Sequence, residues 1–452
     1  MTALPTFGEA LKLWAYIGCV NFGGPAGQIA LMHKLLVDEK KWIGDARFFH
    51  ALNYCMLLPG PEAQQLATYV GWLMHGVKGG LAAGLLFVLP GACVMLGLSI
   101  LYVNYAELTF VGAIFYGVKA AVLAIVIEAI VRIARRAFTG AAMIWIAAGA
   151  FAALFFFATP FPLVVVAAAL IGFIGFRYAP DQFRAMGHAA QADGAGNECA
   201  VDAAFARGEL SHTRASRRAT AITTATWLAI WLLPVGVLLA AFGNDNVFAK
   251  LALFFSQMSL VTFGGAYAVL AYVAQEAVAT YHWLTAPEML EGLALAETTP
   301  GPLILVLQHV GFLAAFRQAG NAPLLAGILG AVVTLWVTFV PSFLWIFAGA
   351  PYAERVRENQ ALSAALAAIT AAVVGVILNL AIWFALHVLF ASVNEITVGP
   401  LHLHVPKLAS LDPIALALAA AASIALLRFK LPILALLALS AALGVIAKLS
   451  GL

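Results

Sequence analysis

The sequence FGGPAGQIALMH at residues 22–33, followed by Trp42 and by LLPGPEAQQLATYVGW at 57–72, decides the fold because its key residues occur twice. Phe-Gly-Gly, Trp and Pro-Gly-Pro recur at 263–265, 283 and 300–302, each displaced by 241 residues. Between 22–61 and 263–302, 10 of 40 positions are identical without a gap. Glycines, prolines and tryptophans matched in a fixed order indicate a duplicated unit rather than shared apolar composition.

The composition is that of a polytopic membrane protein. Of the 452 residues, 63% are hydrophobic and 10% are charged, and the mean hydropathy is +0.97. Apolar runs of about 18 residues, long enough to cross a bilayer core, recur along the chain. The net charge of +3 is too small to indicate nucleic-acid binding. The four cysteines are too scattered for a disulfide framework or a metal cluster, so no cofactor is expected.

Thirteen apolar segments are predicted, six before and seven after a polar, arginine-rich stretch. They span approximately 8–31, 48–74, 80–104, 108–131, 141–158, 162–176, 220–242, 248–274, 288–316, 322–349, 361–391, 411–427 and 431–450. The chain is therefore divided into an N-terminal repeat (1–176), a polar linker (177–219), an unmatched helix (220–242) and a C-terminal repeat (243–452).

The duplication extends beyond the motifs. Pro90 matches Pro341, and 118–122 matches 369–373, both with a displacement of 251 residues. Each half also ends in a short hairpin whose second helix opens with a proline, Pro162 or Pro432. Because one unmatched helix separates two six-segment halves, the second half enters the membrane in the opposite direction. We expect an all-α fold built as an inverted-topology repeat.

Positive charge predicts the orientation. Arg132, Arg135 and Arg136, the linker arginines (including Arg184 and Arg214), Arg355, Arg357, Arg428 and Lys430 should all face the cytoplasm. Lys34, Lys40, Lys41 and Arg47 fit only if 8–31 and 48–74 are re-entrant pairs of half-helices. The matching loop near 275–291 contains no lysine or arginine and would face outside. Full crossing remains the alternative, and we favour the re-entrant arrangement.

The motifs can bind an anion. Two glycines permit unusual backbone angles, and Pro25 and Pro61 suit the first turn of a new helix. A half-helix that begins at membrane depth directs unpaired N–H groups and partial positive charge into the protein. The alternative is that these residues only allow tight packing or kinks, as they do in many membrane helices. The duplication favours an anion site at which up to four helix starts converge.

Several polar residues accompany the breaks. Lys119 lies in the middle of 108–131, where a charge is costly, so it should face an anionic substrate or a carboxylate such as Glu107 or Glu128. Glu62 and Glu297 adjoin the two Pro-Gly-Pro motifs and would carry a coupled proton or neutralise a helix start. Glutamines nearby are neutral donors for an oxyanion or for interhelical hydrogen bonds.

These stretches, with TFGGAYAVLAYV (262–273) and ETTPGPLILVLQHVGF (297–312), resemble the chromate transporter family in its long, two-domain form. The resemblance covers both halves but not the linker. It implies export of chromate from the bacterial cytoplasm through the inner membrane, driven by the membrane gradient, with sulfate as a competing dianion. The predicted substrate-binding residues are Asn21, Phe22, Gly23, Gly24, Pro25, Gln28, Pro59, Gly60, Pro61, Gln64, Gln65, Lys119, Phe263, Gly264, Gly265, Thr299, Pro300, Gly301 and Pro302.

Other functions remain open. The same fold can carry sulfate or another oxyanion, because helix N-termini recognise charge and shape, and a passive anion channel would look the same in sequence. A membrane chromate reductase would need a flavin, haem or iron–sulfur site, for which no motif is present. No nucleotide-binding motif is present either, so a secondary transporter is the simpler interpretation. A homodimer is compatible with the sequence.

Overall fold

The computed structural model describes residues 4–183, 199–213, 215–263, 266–318, 320, 322–353 and 360–450. Almost all of its regular structure is helical. The helices are α1 Phe7–Val20, α2 Gly24–His33, α3 Asp45–Cys55, α4 Glu62–Tyr105, α5 Thr109–Ala137, α6 Ala141–Phe157, α7 Phe161–Tyr178, α8 Pro180–Phe183, α9 Ala200–Ala206, α10 Arg217–Phe242, α11 Val247–Val261, α12 Ala266–Gln275, α13 Ala286–Thr298, α14 Val306–Gln318, α15 Pro323–Gly349, α16 Gln360–Leu389, α17 Pro413–Leu427 and α18 Ile433–Leu449.

Membrane-spanning length is concentrated in six of the described helices. They are Glu62–Tyr105, Thr109–Ala137, Phe161–Tyr178, Arg217–Phe242, Pro323–Tyr352 (α15 and the turn after it) and Gln360–Leu389. Several further apolar helices are shorter, so the chain is an all-α, multi-pass membrane protein as predicted. The longest helix, α4, is two helices joined at a kink, because His75 and Gly76 lie outside helical geometry.

The motif segments are broken helices, as predicted. Segment 8–31 becomes α1 and α2 with a break at Asn21–Gly23, and segment 48–74 becomes α3 and the first part of α4 with a break at 56–61. In the second repeat the breaks lie before Ala266 and after Thr298. The 14 residues of α1 extend about 21 Å, which is less than the roughly 30 Å of a bilayer core. A single half-helix of this length cannot cross the bilayer core.

The two repeats share local geometry as well as sequence. After α2 the chain continues into a π-helical turn, Lys34–Glu39, and after α12 into another, Glu276–Thr280. Two residues after each turn, Lys41 and His282 both adopt positive φ angles, 52° and 50°. Side chains rarely adopt that conformation, so its recurrence 241 residues later is independent evidence of duplication.

Two details differ from the sequence prediction. The residue that matches Pro432 as the cap of the last helix is Pro160 rather than Pro162, which lies within the first turn of α7. The chain also forms an antiparallel hairpin that was not predicted, β1 Val393–Val398 paired with β2 Leu401–Pro406. The alternating apolar residues of the second strand and a Gly-Pro turn were the available signal.

The chain divides into two compact units that do not follow the repeat boundaries. The first contains Met1–Leu96, Met186–Gly265 and Thr299–Gln360, and the second contains Gly97–Ala185, Ala266–Thr298 and Ala361–Leu452. In the second unit, the core joins helices from both halves of the sequence, with Met143 packed near Ala364 and Ala371. In the first unit, α9 and its neighbours, part of the polar linker, bury Val201, Ala204 and Leu210.

Candidate functional site

One backbone hydrogen bond joins each Pro-Gly-Pro turn to the Phe-Gly-Gly region of the other repeat. The N–H of Gly60 donates to the carbonyl oxygen of Thr262 at 2.8 Å. The N–H of Gly301 donates to the carbonyl oxygen of Asn21 at 3.3 Å. Gly301 is the repeat equivalent of Gly60, and Thr262 is the equivalent of Asn21. The two hydrogen bonds therefore join equivalent positions, with donor and acceptor on opposite repeats. Such reciprocal contacts are the pattern of two-fold related units.

Only glycine fits at the centre of each turn. The φ angle of Gly60 is +124° and that of Gly301 is +101°, conformations that are strained for any other residue. A Cβ atom on Gly60 would lie 2.6 Å from Gln65 Nε2 and 2.9 Å from Ser342 Oγ. The turn is therefore held by its own backbone geometry and by close packing.

Buried amide side chains surround the crossed hydrogen bonds. Gln28 Nε2 donates to the carbonyl oxygens of Asn21 at 3.1 Å and Gly301 at 2.5 Å, so this side chain also links the two repeats. Gln65 Nε2 donates to the Pro59 carbonyl at 2.7 Å. The side-chain oxygens of Asn21, Gln28 and Gln65 are buried and accept no hydrogen bond among the described residues. Unpaired buried polar atoms are rare and point to a ligand, an ion or ordered water.

Ser342 is a candidate site residue that the sequence did not single out. Its side chain is buried, its Oγ makes no hydrogen bond to the described residues, and it lies against Gly60. The signal was present, because Ser342 follows Pro341, whose partner Pro90 is followed by Gly91. Gly91 packs directly on the carbonyl of Pro300 in the other Pro-Gly-Pro turn. The two residues after the matched prolines therefore lie against opposite turns.

In the first repeat, the outer ends of the half-helices are joined in two pairs. His75, at the kink in α4, is hydrogen-bonded to the carbonyl of Pro5 just before α1, at 2.9 Å. His33, at the end of α2, contacts Asp45, the first residue of α3, at 2.6 Å. Two full crossings would bring the same ends together, so the re-entrant arrangement stays a prediction.

Lys119 has a carboxylate partner, although neither of the two predicted from the sequence. Its Nζ lies 3.1 Å from Glu291 Oε1, and the hydroxyl of Tyr102 donates to Glu291 Oε2 at 2.6 Å. The side chains of Lys119 and Glu291 are 23% and 12% exposed. Glu128 instead lies 3.4 Å from Arg132, one turn along α5. Sequence spacing could not reveal Glu291, which lies 172 residues away.

The two predicted coupling carboxylates occupy different positions. Glu62 is the first residue of α4, where a negative charge is favourable for the helix N-terminus. Glu297 is near the end of α13, buried, and accepts a hydrogen bond from Tyr267 at 2.6 Å. Glu297 therefore does not lie at the N-terminus of its helix, and its role in proton coupling stays a prediction.

The remaining predicted residues are buried, exposed or outside the described residues. In the first unit, Gln64 is buried and donates to Thr68 at 3.2 Å, and Thr299, Pro300 and Pro302 are buried. Phe22, Gly23, Gly24, Pro25, Pro59, Pro61 and Phe263 are partly or fully exposed. Gly264 and Gly265 lie outside the described residues, as do Arg184, Arg214, Arg355 and Arg357. Lys119 and Glu297 belong to the second unit.

Among the described residues there is no group of three or more His, Cys, Asp or Glu side chains placed to hold a metal ion. The groups beside the crossed turns are helix N-termini, amides and a hydroxyl. These groups recognise oxyanions by charge and hydrogen bonding.

The sequence has recognisable relatives. It is 32% identical to the chromate transport protein of Pseudomonas aeruginosa over 80% of this chain and 76% of that one. It is 26% identical to the chromate transport protein of Cupriavidus metallidurans over 82% and 81% of the two chains. A probable chromate transport protein of Synechococcus elongatus is 25% identical over 80% of both. No solved structure matches the chain at a significant level.

A family sequence profile matches both repeats of the chain but not the segment between them. The profile described as Chromate transporter matches residues 8–173 and 249–445, which include both motif pairs and exclude the linker and α10. The chain belongs to the chromate transporter family.

Proposed function

We propose that this protein is a secondary transporter that exports chromate from the bacterial cytoplasm, with the dianion held at the broken helices. The observation that carries the proposal is the crossed pair of hydrogen bonds between Gly60 and Thr262 and between Gly301 and Asn21. This crossing places the helix starts at Glu62 and after Pro302 beside buried amides and a hydroxyl. The named relatives support chromate as the substrate.

The recognition would be electrostatic. The first N–H groups of a helix have no partner within the helix, and together they carry about half a positive charge. Each hydrogen bond to a charged oxygen contributes about 1.5–3 kcal/mol. Ser342 and Gln65 lie beside the Gly60 turn and can add a hydroxyl proton and the second amide proton of Gln65 to the oxygen shell. Gln28 already donates both of its amide protons, to Asn21 and Gly301, and so holds the turn. Sulfate has the same shape and charge, so it should compete.

Export follows from charge and orientation. The linker and the loop at 34–47 are rich in arginine and lysine, and the positive-inside rule supports a cytoplasmic position for both. A membrane potential of 100 mV, negative inside, favours the outward movement of a dianion by about 4.6 kcal/mol. The potential alone can therefore drive export, and proton transfer through Glu297 or Glu62 would add to it.

The test is chromate uptake into inverted membrane vesicles that contain this protein. We expect accumulation that requires a membrane potential and that sulfate reduces. Vesicles that contain the Gly60→Leu variant at equal abundance are the control. If chromate does not accumulate under any imposed gradient while sulfate does, the physiological substrate is sulfate. Equilibration of chromate without accumulation would indicate a passive channel.

The coupling role is tested by Glu297→Gln. The amide oxygen of glutamine can still accept the hydrogen bond from Tyr267, so binding should persist. The variant cannot exchange a proton, and we expect its uptake to stop responding to an imposed pH gradient. Glu62→Gln is the matched variant at the other turn. If both variants respond as the wild type does, neither carboxylate couples transport to protons.

A further inference from the structure

The start of α3 differs from that of its repeat equivalent, α13. Helix α13 begins with a capping box, in which the N–H and the Oγ1 of Thr285 donate to Glu288 at 2.7 and 2.9 Å. The equivalent residues in the first repeat are Gly44 and Arg47. Glycine has no side chain and arginine has no acceptor atom, so this pair cannot form a capping box.

The linker supplies the missing carboxylate. The N–H of Gly44 donates to Asp202 Oδ2 at 3.1 Å, and Arg47 Nε donates to Asp202 Oδ1 at 2.5 Å. The Arg47 guanidinium also lies 4.5 Å from the centre of the Phe205 ring. The backbone N–H that Glu288 satisfies within the second repeat is thus satisfied in the first repeat by a residue from outside it.

Position 44 requires glycine because of the space that this carboxylate occupies, and not because of its backbone angles. The φ and ψ angles of Gly44 are −74° and 151°, which any residue adopts. A Cβ atom there would lie only 2.4 Å from Asp202 Oδ2. The first repeat is therefore shaped to admit Asp202, although the family profile does not include the linker.

The same linker segment also contacts the helix on the other side of the Pro-Gly-Pro turn. The imidazole of His212 is hydrogen-bonded at 2.8 Å to the carbonyl of Trp72, at the end of the first part of α4. The N–H of Val201 donates to the carbonyl of Trp42 at 2.9 Å. The linker thus holds the outer ends of the two helices that enclose residues 59–61.

We propose that Asp202 is a positioning residue for transport. It holds the N-terminus of α3 and, through α3, the turn that contains Gly60. The proposal rests on the proposed function only where transport is the readout. A second readout, the rate at which Cys55 is labelled, needs no substrate. Cys55 is fully buried at the end of α3, directly before the turn, so its labelling reports whether α3 stays in place.

The experiment measures maleimide labelling of Cys55 in the full-length protein, with Cys19, Cys93 and Cys199 replaced by serine. We expect Asp202→Ala to accelerate labelling by about fivefold, the factor that loss of a typical helix cap produces. Chromate uptake should fall by a similar factor. The matched control is Glu209→Ala, which removes a linker carboxylate whose described partner is Arg207 on the same segment.

A rescue variant separates positioning from simple destabilisation. Gly44→Thr with Arg47→Glu gives α3 the capping box of α13 and excludes Asp202. Combined with Asp202→Ala, it should restore both slow labelling and uptake. Unchanged labelling in Asp202→Ala, or labelling that stays fast in the triple variant, overturns the proposal. If no variant and no wild-type protein transports chromate, the proposed function fails while the labelling result still decides the role of Asp202.

Discussion

The two units that run from Phe-Gly-Gly to Pro-Gly-Pro share their backbone geometry but differ in their polar side chains. Both contain the π-helical turn, the residue with positive φ before the tryptophan, and the central glycine at positive φ. The polar side chains differ. Gln28 and Gln65 of the first repeat correspond to Val269 and Val306, and Glu291 and Glu297 of the second correspond to His50 and Met56.

This difference separates what supports the site from what acts in it. Backbone geometry that is present twice serves the architecture of both turns. A side chain that is present in only one repeat has no equivalent that could take over its role. We therefore expect substitutions of shared backbone positions to have similar effects in both repeats, and substitutions of unique side chains to have unequal effects.

The largest effect is expected at the central glycines. Gly60→Leu and Gly301→Leu each force strained backbone, at about 1–3 kcal/mol, and Gly60→Leu also displaces Gln65 and Ser342. Chromate uptake should fall by at least about tenfold in both variants. Gly97→Leu is the control, because a Cβ atom there meets nothing within 4 Å. Full activity of only one of the two variants would show that the turns are not equivalent.

A smaller, one-sided effect is expected at Lys119. Lys119→Met removes the cation beside Glu291, whose side chain is 12% exposed and keeps its hydrogen bond from Tyr102. The free energy of unfolding should fall by about 1–3 kcal/mol. Thr370→Val, at the equivalent position, removes only a hydrogen bond to the Leu366 carbonyl in its own helix. Thermal unfolding in detergent should separate the two variants.

The double variant Lys119→Met with Glu291→Gln distinguishes pairing from substrate contact. It removes the unpaired charge, so stability should recover. If uptake stays low, Lys119 serves the substrate as predicted from the sequence. If uptake recovers, the lysine serves only its carboxylate.

A still smaller effect is expected at Gln28. Gln28→Leu removes two buried hydrogen bonds, one of which reaches Gly301 in the other repeat. A typical hydrogen bond contributes about 1 kcal/mol, so uptake should fall about fivefold or more. Val269→Leu, at the equivalent apolar position, should change it little. Equal losses in the two variants would show that packing, and not the amide, matters at this position.

The smallest effect is a pH dependence of the linker. Burial lowers the pKa of His212 below its ordinary value, because the charged imidazolium is poorly solvated against Trp72. The neutral ring therefore contributes stability above about pH 6.5, and this contribution is lost as the pH falls. Between pH 7.5 and 5.5, labelling of the buried Cys199 should accelerate about twofold to threefold relative to a His212→Gln variant. A constant ratio would contradict this expectation.

Much of the site was predictable because glycine and proline act on their own backbone. The broken helices, the positive φ angles of Gly60 and Gly301, and the correspondence of the two repeats follow from residues whose effect does not depend on distant partners. Partners of single side chains were not predictable. Spacing along a helix suggested Glu107 or Glu128 for Lys119, whereas the structure places Glu291 there.

The sequence by itself determined that this chain is a duplicated, all-α membrane protein with helices interrupted twice in each half. Composition and the order of Gly, Pro and Trp depend only on local chemistry and on burial in lipid. Only the tertiary structure decided that each Pro-Gly-Pro turn contacts the other repeat's break and that Asp202 caps α3. Both contacts join residues more than 150 positions apart. Packing brings such residues together, and no local pattern in the sequence encodes which of them will meet.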